Sequence, residues 1–289
     1  MSTSATTTGR LVLEGKVAFI TGAASSRGMG RAIANRLARE GADIVVNDKF
    51  AAPKSNWPGD EDWKGLEDVV AEIEALGRKA LAVVGGVDDV AAIENAVQTA
   101  IKTFGHVDIL VNCAGVRGAV GVPVVEGDEA EWRQTFDVNT FGAFFVSRAV
   151  AREMIRRGQG GRIIHIASVA GREGVPGSAA YATSKWAVIG LVQTLAKELA
   201  PHRINVNAIN PGFFSTNLRD NEAAERAHKK GISLEELREG EYKHLSSLVP
   251  LGRMGKVSDI AGVVFFLVSP ESEYMTGQDI NVTGGVKMP

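Results

Sequence analysis

Short apolar runs and longer amphipathic stretches alternate along nearly the whole chain. Lys16–Ile20, Asp43–Asn47, Lys79–Val84, Ile109–Asn112, Arg162–Ile166, Ile204–Ile209 and Asp279–Val282 are brief and apolar, and predict strands buried on both faces. Gly30–Glu40, Gly65–Leu76, Val90–Phe104, Glu129–Arg157, Ser178–Leu199 and Val257–Val268 predict the helices between them. Buried strands separated by helices imply an α/β fold, a doubly wound parallel sheet of about seven strands with helices on both faces. Such a sheet binds ligands outside the carboxyl ends of its strands.

Two segments break the alternation. Residues 49–64 hold two prolines, two tryptophans and several charges, and predict an inserted surface loop whose tryptophans pack locally. Residues 213–250 are rich in charge and weakly helical, and follow a strand end where a mobile lid would sit.

Composition narrows the classes of function. The 289 residues, 45% of them hydrophobic, supply ample core for a single domain over residues 11–289, preceded by a polar, disordered tail over 1–10. A net charge of −2 argues against nucleic acid or an anionic membrane as the main partner. No apolar run approaches the ~20 residues of a membrane helix. Cys113 is the only cysteine, which excludes an intrachain disulfide and fits a reducing, cytoplasmic setting. The histidines at 106, 165, 202, 228 and 244 lack metal-ligand spacing, so no metal site is expected.

Candidate chemistry concentrates at Tyr181 and Lys185, with Ser168 thirteen residues before the tyrosine. Side chains four apart share a helix face. An ammonium beneath a phenol favours its ionised form, drawing a group of pKa about 10 toward general-base use near neutrality. Alone, such a pair more often serves packing. A second signal lies at Thr21-Gly22-Ala23-Ala24-Ser25-Ser26-Arg27-Gly28-Met29-Gly30, between the first strand and first helix. Glycines there let the backbone approach a pyrophosphate, and the helix start offers free N–H groups. Asp48 ends the second strand, 18 residues after Gly30, where a carboxylate can hold both ribose hydroxyls and repel a 2′-phosphate. That points to NAD. Arg27 and Lys49 could instead meet a 2′-phosphate, which keeps NADP open.

Together these motifs resemble the short-chain dehydrogenase/reductase family, in its classical branch, over nearly the whole chain from Leu11 to Gly285. The resemblance implies a single Rossmann-type domain and a tetrad of Asn139, Ser168, Tyr181 and Lys185. In it Tyr181 is the acid/base, Ser168 holds the substrate oxygen, and Lys185 tunes the tyrosine and binds the nicotinamide ribose. Asn139 holds a water that links Lys185 to solvent. Implied cofactor contacts are Gly22, Ser25, Arg27, Gly28, Met29 and Gly30 in the first turn, then Asp48, Val87, Asn112, Ala114 and Gly115. Tyr181 and Lys185 join them from the tetrad, and Pro211, Gly212, Phe214 and Thr216 complete the nicotinamide end.

Three positions depart from the family pattern. Five residues separate Gly22 from Gly28 where three are usual, so the turn must bulge through Ser25, Ser26 and Arg27. Gly86 stands where many members carry an aspartate that hydrogen-bonds adenine, leaving the backbone of Val87 to serve. Cys113 replaces an asparagine and reads as a packing residue.

The implied activity is NAD-dependent interconversion of a secondary alcohol and a ketone. Val175, Phe213, Phe214 and Leu218 suggest an apolar or cyclic substrate. A 3-hydroxyacyl thioester is the alternative within that chemistry, and sugars and polyols stay open. A non-catalytic dinucleotide sensor is the alternative outside it. The helices at 129–157 and 178–199 commonly pair between subunits in this family, which implies a homodimer or homotetramer.

Overall fold

The structure is a computed structural model that describes residues 11–53, 55, 57, 59–217, 223, 226–228 and 230–288. The expected tail and the pocket candidate Leu218 lie outside these residues.

Seven parallel strands form one sheet: β1 (Val17–Thr21), β2 (Asp43–Asp48), β3 (Ala80–Val84), β4 (Ile109–Asn112), β5 (Gly161–Ile166), β6 (Ile204–Pro211) and β7 (Asp279–Val282). Their spatial order is β3-β2-β1-β4-β5-β6-β7. The helices are α1 (Met29–Arg39), α2 (Leu66–Ala75), α3 (Val90–Phe104), α4 (Glu129–Phe136), α5 (Gly142–Arg157), α6 (Ala179–Leu199), α7 (Leu234–Leu248) and α8 (Val257–Val268).

Period-two alternation divides the core between the two faces of the sheet. Val17 and Phe19 of β1 face a cluster built with α3, α5 and α6. Ala18 and Ile20, between and beyond them, face a second cluster built with α1, α2 and α8. Central strands can therefore be apolar at every position, and β1 and β4 are buried throughout. The edge strands differ from the expectation of burial on both faces. Val84 in β3 is exposed, and every residue of β7 is only half-buried, because an edge strand has a neighbour on one side only.

The chain reverses direction across the sheet between β1 and β4. Thr21 pairs with Asn112 at the carboxyl ends of those strands. A crevice opens where successive connections leave toward opposite faces, and ligands bind there in doubly wound sheets.

The expected helix over 129–157 is present but widens once along its length. Asp137–Phe141 forms a π-turn between α4 and α5, with Val138 and Asn139 buried. Wide turns of this kind are frequent at functional sites.

Candidate active site

The first turn is built for close approach. Gly22 has φ +66°, and a Cβ there would lie 2.8 Å from the backbone of Ala114. A Cβ on Gly30 would run into the Gly22 carbonyl oxygen, so α1 can begin against the strand only with glycine at that position. The N-cap of α1 is Gly28, which lends no side chain to the free N–H groups, and the first turn carries no acidic residue. Those groups are left for an anion.

Asp48 stands at the end of β2, and its Oδ2 accepts a hydrogen bond from Ala24 N at 3.0 Å. Burial raises its pKa against the opposing effect of N–H donors from Ala24, Phe50 and Lys49. The carboxylate thus both ties the bulged turn to β2 and borders the crevice.

The bulge is held from outside. Asp60, in the inserted segment, accepts hydrogen bonds from Ser26 Oγ at 2.6 Å, from Asn217 Nδ2 at 3.2 Å and from Ser55 Oγ. Burial opposes ionisation of Asp60, but these donors and the Arg27 charge outweigh it and hold the carboxyl below its ordinary range. Arg27 donates its backbone N–H to Asn217 Oδ1 at 2.9 Å, and its guanidinium lies 3.4 Å from the Trp57 ring centroid. Trp63 Nε1 donates to the Ala24 carbonyl at 2.7 Å. The tryptophans therefore do not pack locally, as their sequence suggested. They pin the insertion to the turn, because two extra turn residues need external partners for their polar groups.

At the crevice floor a directed hydrogen-bond chain crosses the sheet. Thr21 Oγ1 accepts from Cys113 N and Ala114 N at 3.1 and 3.0 Å and donates to Asn112 Oδ1 at 2.7 Å. Asn112 Nδ2 lies 3.3 Å from His165 Nδ1, and His165 Nε2 lies 3.0 Å from Ser147 Oγ. The Ser147 hydroxyl donates to the Ala143 carbonyl at 2.7 Å, so the imidazole must donate to it from Nε2 and accept from Asn112 at Nδ1. Burial, aided by the Lys185 charge, pushes the His165 pKa down to about 3 and keeps the ring neutral. Burial also pushes the Cys113 thiol up to about 12, in keeping with a packing role.

The tetrad positions converge on the other wall. α6 carries Tyr181 and Lys185 one turn apart, with Lys185 Nζ 5.7 Å from the tyrosine ring centroid. Lys185 is 5% exposed and donates to the Ile166 carbonyl at 3.0 Å. Ser168 follows β5 and caps a short 3₁₀ turn by accepting from Ala170 N at 3.1 Å, which leaves its hydroxyl hydrogen free to be donated.

Asn139 lies in the π-turn, buried between the β4 loop and α6. Its Oδ1 accepts from Val116 N at 2.8 Å, and its Nδ2 donates to Val116 O at 2.8 Å and to Ser184 Oγ at 2.9 Å. The side chain fastens the β4 loop to α6, with both Nδ2 hydrogens donated and one further lone pair left on Oδ1.

On the lid side, Gly212 N donates to Val282 O at 3.0 Å and ties the end of β6 to β7. Phe214 is buried against Gly255 within the core, which removes it from the expected pocket lining, whereas Phe213 and Val175 are half-buried. The described residues hold no cluster of His, Cys, Asp or Glu fit for a metal ion. Sequence reading missed His165, Asp60, Asn217 and Ser184. Of these only His165 carried a signal, being a polar residue inside an apolar strand.

A short-chain dehydrogenase family model matches residues 16–227. The chain belongs to the short-chain dehydrogenase/reductase family. It is 38% identical to sorbitol dehydrogenase of Cereibacter sphaeroides, across 94% of this chain and 98% of that one. It is equally 38% identical to a 3-oxoacyl-(acyl-carrier-protein) reductase of Thermotoga maritima, across 95% and 98% of the two chains. Among solved structures, carveol dehydrogenase from Mycobacterium avium in complex with NAD superposes with a TM-score of 0.84 at 33% identity, covering 96% and 99% of the two chains. Members of this short-chain dehydrogenase/reductase group thus span polyol, thioester and cyclic alcohol names on one fold, so membership fixes the oxidoreductase chemistry and not the substrate.

Proposed function

We propose that this enzyme interconverts a secondary alcohol and a ketone with NAD, on an apolar or cyclic substrate. One observation carries the reading. Lys185 is a buried ammonium whose hydrogen bond goes to a carbonyl, with no carboxylate paired to it among the described residues. Burying an unpaired charge is costly, so stability alone does not account for it. Its place beneath the Tyr181 ring does.

Bound NAD would supply hydride transfer at its nicotinamide ring. The uncapped start of α1 and the backbone around Gly22, Gly28, Met29 and Gly30 would take the pyrophosphate, and Thr216 would contact the nicotinamide end. Asp48 would hold the adenosine ribose, and its negative charge disfavours a 2′-phosphate. Ala114, Gly115, Pro211 and Gly212 would flank the nicotinamide end. Ser168 donates its hydroxyl hydrogen to the substrate oxygen and orients it. Tyr181 takes the alcohol proton during oxidation and returns it during reduction. The Lys185 ammonium stabilises negative charge developing on the phenolic oxygen.

The half-buried Phe213 and Val175 near the site support an apolar substrate, as does the likeness to carveol dehydrogenase. The likeness to a 3-oxoacyl reductase keeps a 3-hydroxyacyl thioester as the second reading. Phe141, Phe144 and Trp186 leave apolar area exposed on α5, α6 and the turn before α5, which supports association into a homodimer or homotetramer through those helices. No helix among the described residues is long and apolar enough to cross a membrane.

Absorbance of NADH across a panel of cyclic alcohols, polyols and 3-hydroxyacyl thioesters tests the reading. Cyclic secondary alcohols are expected to turn over fastest, and Tyr181→Phe to cut kcat by roughly 10²–10⁴-fold with NAD affinity retained. Tight NAD binding without turnover on any member would make the protein a sensor.

A further inference from the structure

Gly86 leaves the adenine end without the aspartate side chain that the family resemblance leads one to expect there. The neighbouring geometry fills that gap. A Cβ built on Gly86 would collide with Asp88 Oδ1, and its next neighbours would be Asp88 Cγ at 3.4 Å and Lys49 Cδ at 3.5 Å. The Asp88 carboxylate thus folds back into the space through which a side chain at position 86 would leave the backbone.

This carboxylate is held there. Lys49 Nζ donates to Asp88 Oδ2 at 2.9 Å. The turn beneath is fastened by Gly85 N to Asp48 O at 2.9 Å and by Asp89 N to Gly86 O at 3.1 Å. Asn47 Nδ2, itself buried, donates to the carbonyls of Val83 and Gly85 at 3.1 and 3.0 Å. Oδ1 of Asp88 faces Gly86 and accepts no hydrogen bond from a described residue, and the side chain keeps 24% of its surface exposed. An oriented carboxylate oxygen with spare acceptor capacity therefore sits beside Asp48, at the end of the crevice assigned to adenosine.

We propose that Asp88, oriented by Lys49, supplies the acceptor for the exocyclic amino group of adenine in place of a side chain at position 86. This rests on the reading of the crevice as a dinucleotide site. It also gives Lys49 a use other than a 2′-phosphate, since its ammonium is engaged by Asp88. Two residues of opposite charge do together what a single aspartate does elsewhere. Asp89, not Asp88, caps α3, so the helix start does not depend on the proposed contact.

The test is the binding of NAD and of nicotinamide hypoxanthine dinucleotide, whose ring carries a carbonyl oxygen where adenine carries the amino group. Both are titrated by calorimetry, which needs no turnover. The wild type is expected to favour NAD by about tenfold or more, the scale of one hydrogen bond to a charged acceptor. Asp88→Ala should lower that preference about five- to tenfold, mostly by weakening NAD. Some preference should persist, because the Val87 backbone still distinguishes the two rings. Asp88→Asn should keep part of it, and Gly86→Asp combined with Asp88→Ala should restore it. An unchanged preference in Asp88→Ala, or equal weakening of both dinucleotides, would overturn the assignment while leaving the dinucleotide reading intact. Failure of the wild type to bind either one would overturn both.

Discussion

The two ends of the crevice are built on different terms. At the end proposed for hydride transfer, Ser168 follows β5, Tyr181 and Lys185 stand on α6, and the partners of Lys185 and Asn139 are backbone groups or Ser184. At the adenosine end, a longer first turn, a missing aspartate and a 16-residue insertion at 49–64 are met by side chains from three separate segments. Bond making demands fixed geometry, and a displacement of about 1 Å can cost 10²-fold in rate. Holding a nucleotide demands only that donors and acceptors be met, which many residue sets can do.

The contrast can be broken at either end. The largest effect is expected from Lys185→Met, which removes the buried ammonium and should lower kcat by at least ~10²-fold. Stopped-flow hydride transfer would locate the loss in the chemical step; a loss confined to NAD binding would leave Lys185 with a ribose contact alone and no part in the proton transfer. Next comes Asp48→Ala. It removes the charge that disfavours a 2′-phosphate and should raise the KM for NAD about tenfold while improving use of NADP. An unchanged ratio of kcat/KM for the two cofactors would assign the preference elsewhere.

The smallest effect sharpens the comparison. Asp60→Ala leaves Ser26 and Asn217 buried without their shared acceptor, which should cost roughly 1–2 kcal/mol locally and raise NAD dissociation severalfold with kcat nearly constant. Acid should act the same way on the wild type. The Asp60 carboxyl is held below its ordinary 3.8, so its contribution is complete above that value and fades as pH falls through the lowered one. Limited proteolysis of the insertion against pH follows this opening, and a cleavage rate indifferent to both acid and Asp60→Ala would show that the junction does not hold the loop.

Much of this was legible in sequence, for local reasons. Buried strands and amphipathic helices announce themselves by period, and the bounds of β4, β7, α3 and α8 coincide with the expected ones. Tyr181 and Lys185 were legible as a pair because spacing on one helix needs no tertiary knowledge, whereas Asn139 and Ser168 were reached through the family resemblance. The π-turn at Asp137–Phe141 was not legible, since a single wide turn leaves no mark on apolar periodicity. Nor was the Asp60 junction, whose partners Ser26 and Asn217 lie 34 and 157 residues away. The two tryptophans were visible as an oddity, but their docking on Arg27 and Ala24 depends on a bulge whose path only the folded turn defines.

His165 leaves a constraint on how this lineage can drift. Whatever occupies that position must give a proton toward Ser147 and receive one from Asn112, at two separate atoms, inside the sheet. Among side chains of comparable reach, a neutral histidine, a carboxamide or a protonated carboxyl offers both. Other side chains would fit there only if Ser147 and Asn112 turned apolar together, and the latter change would also release Thr21 and slacken the carboxyl end of β1.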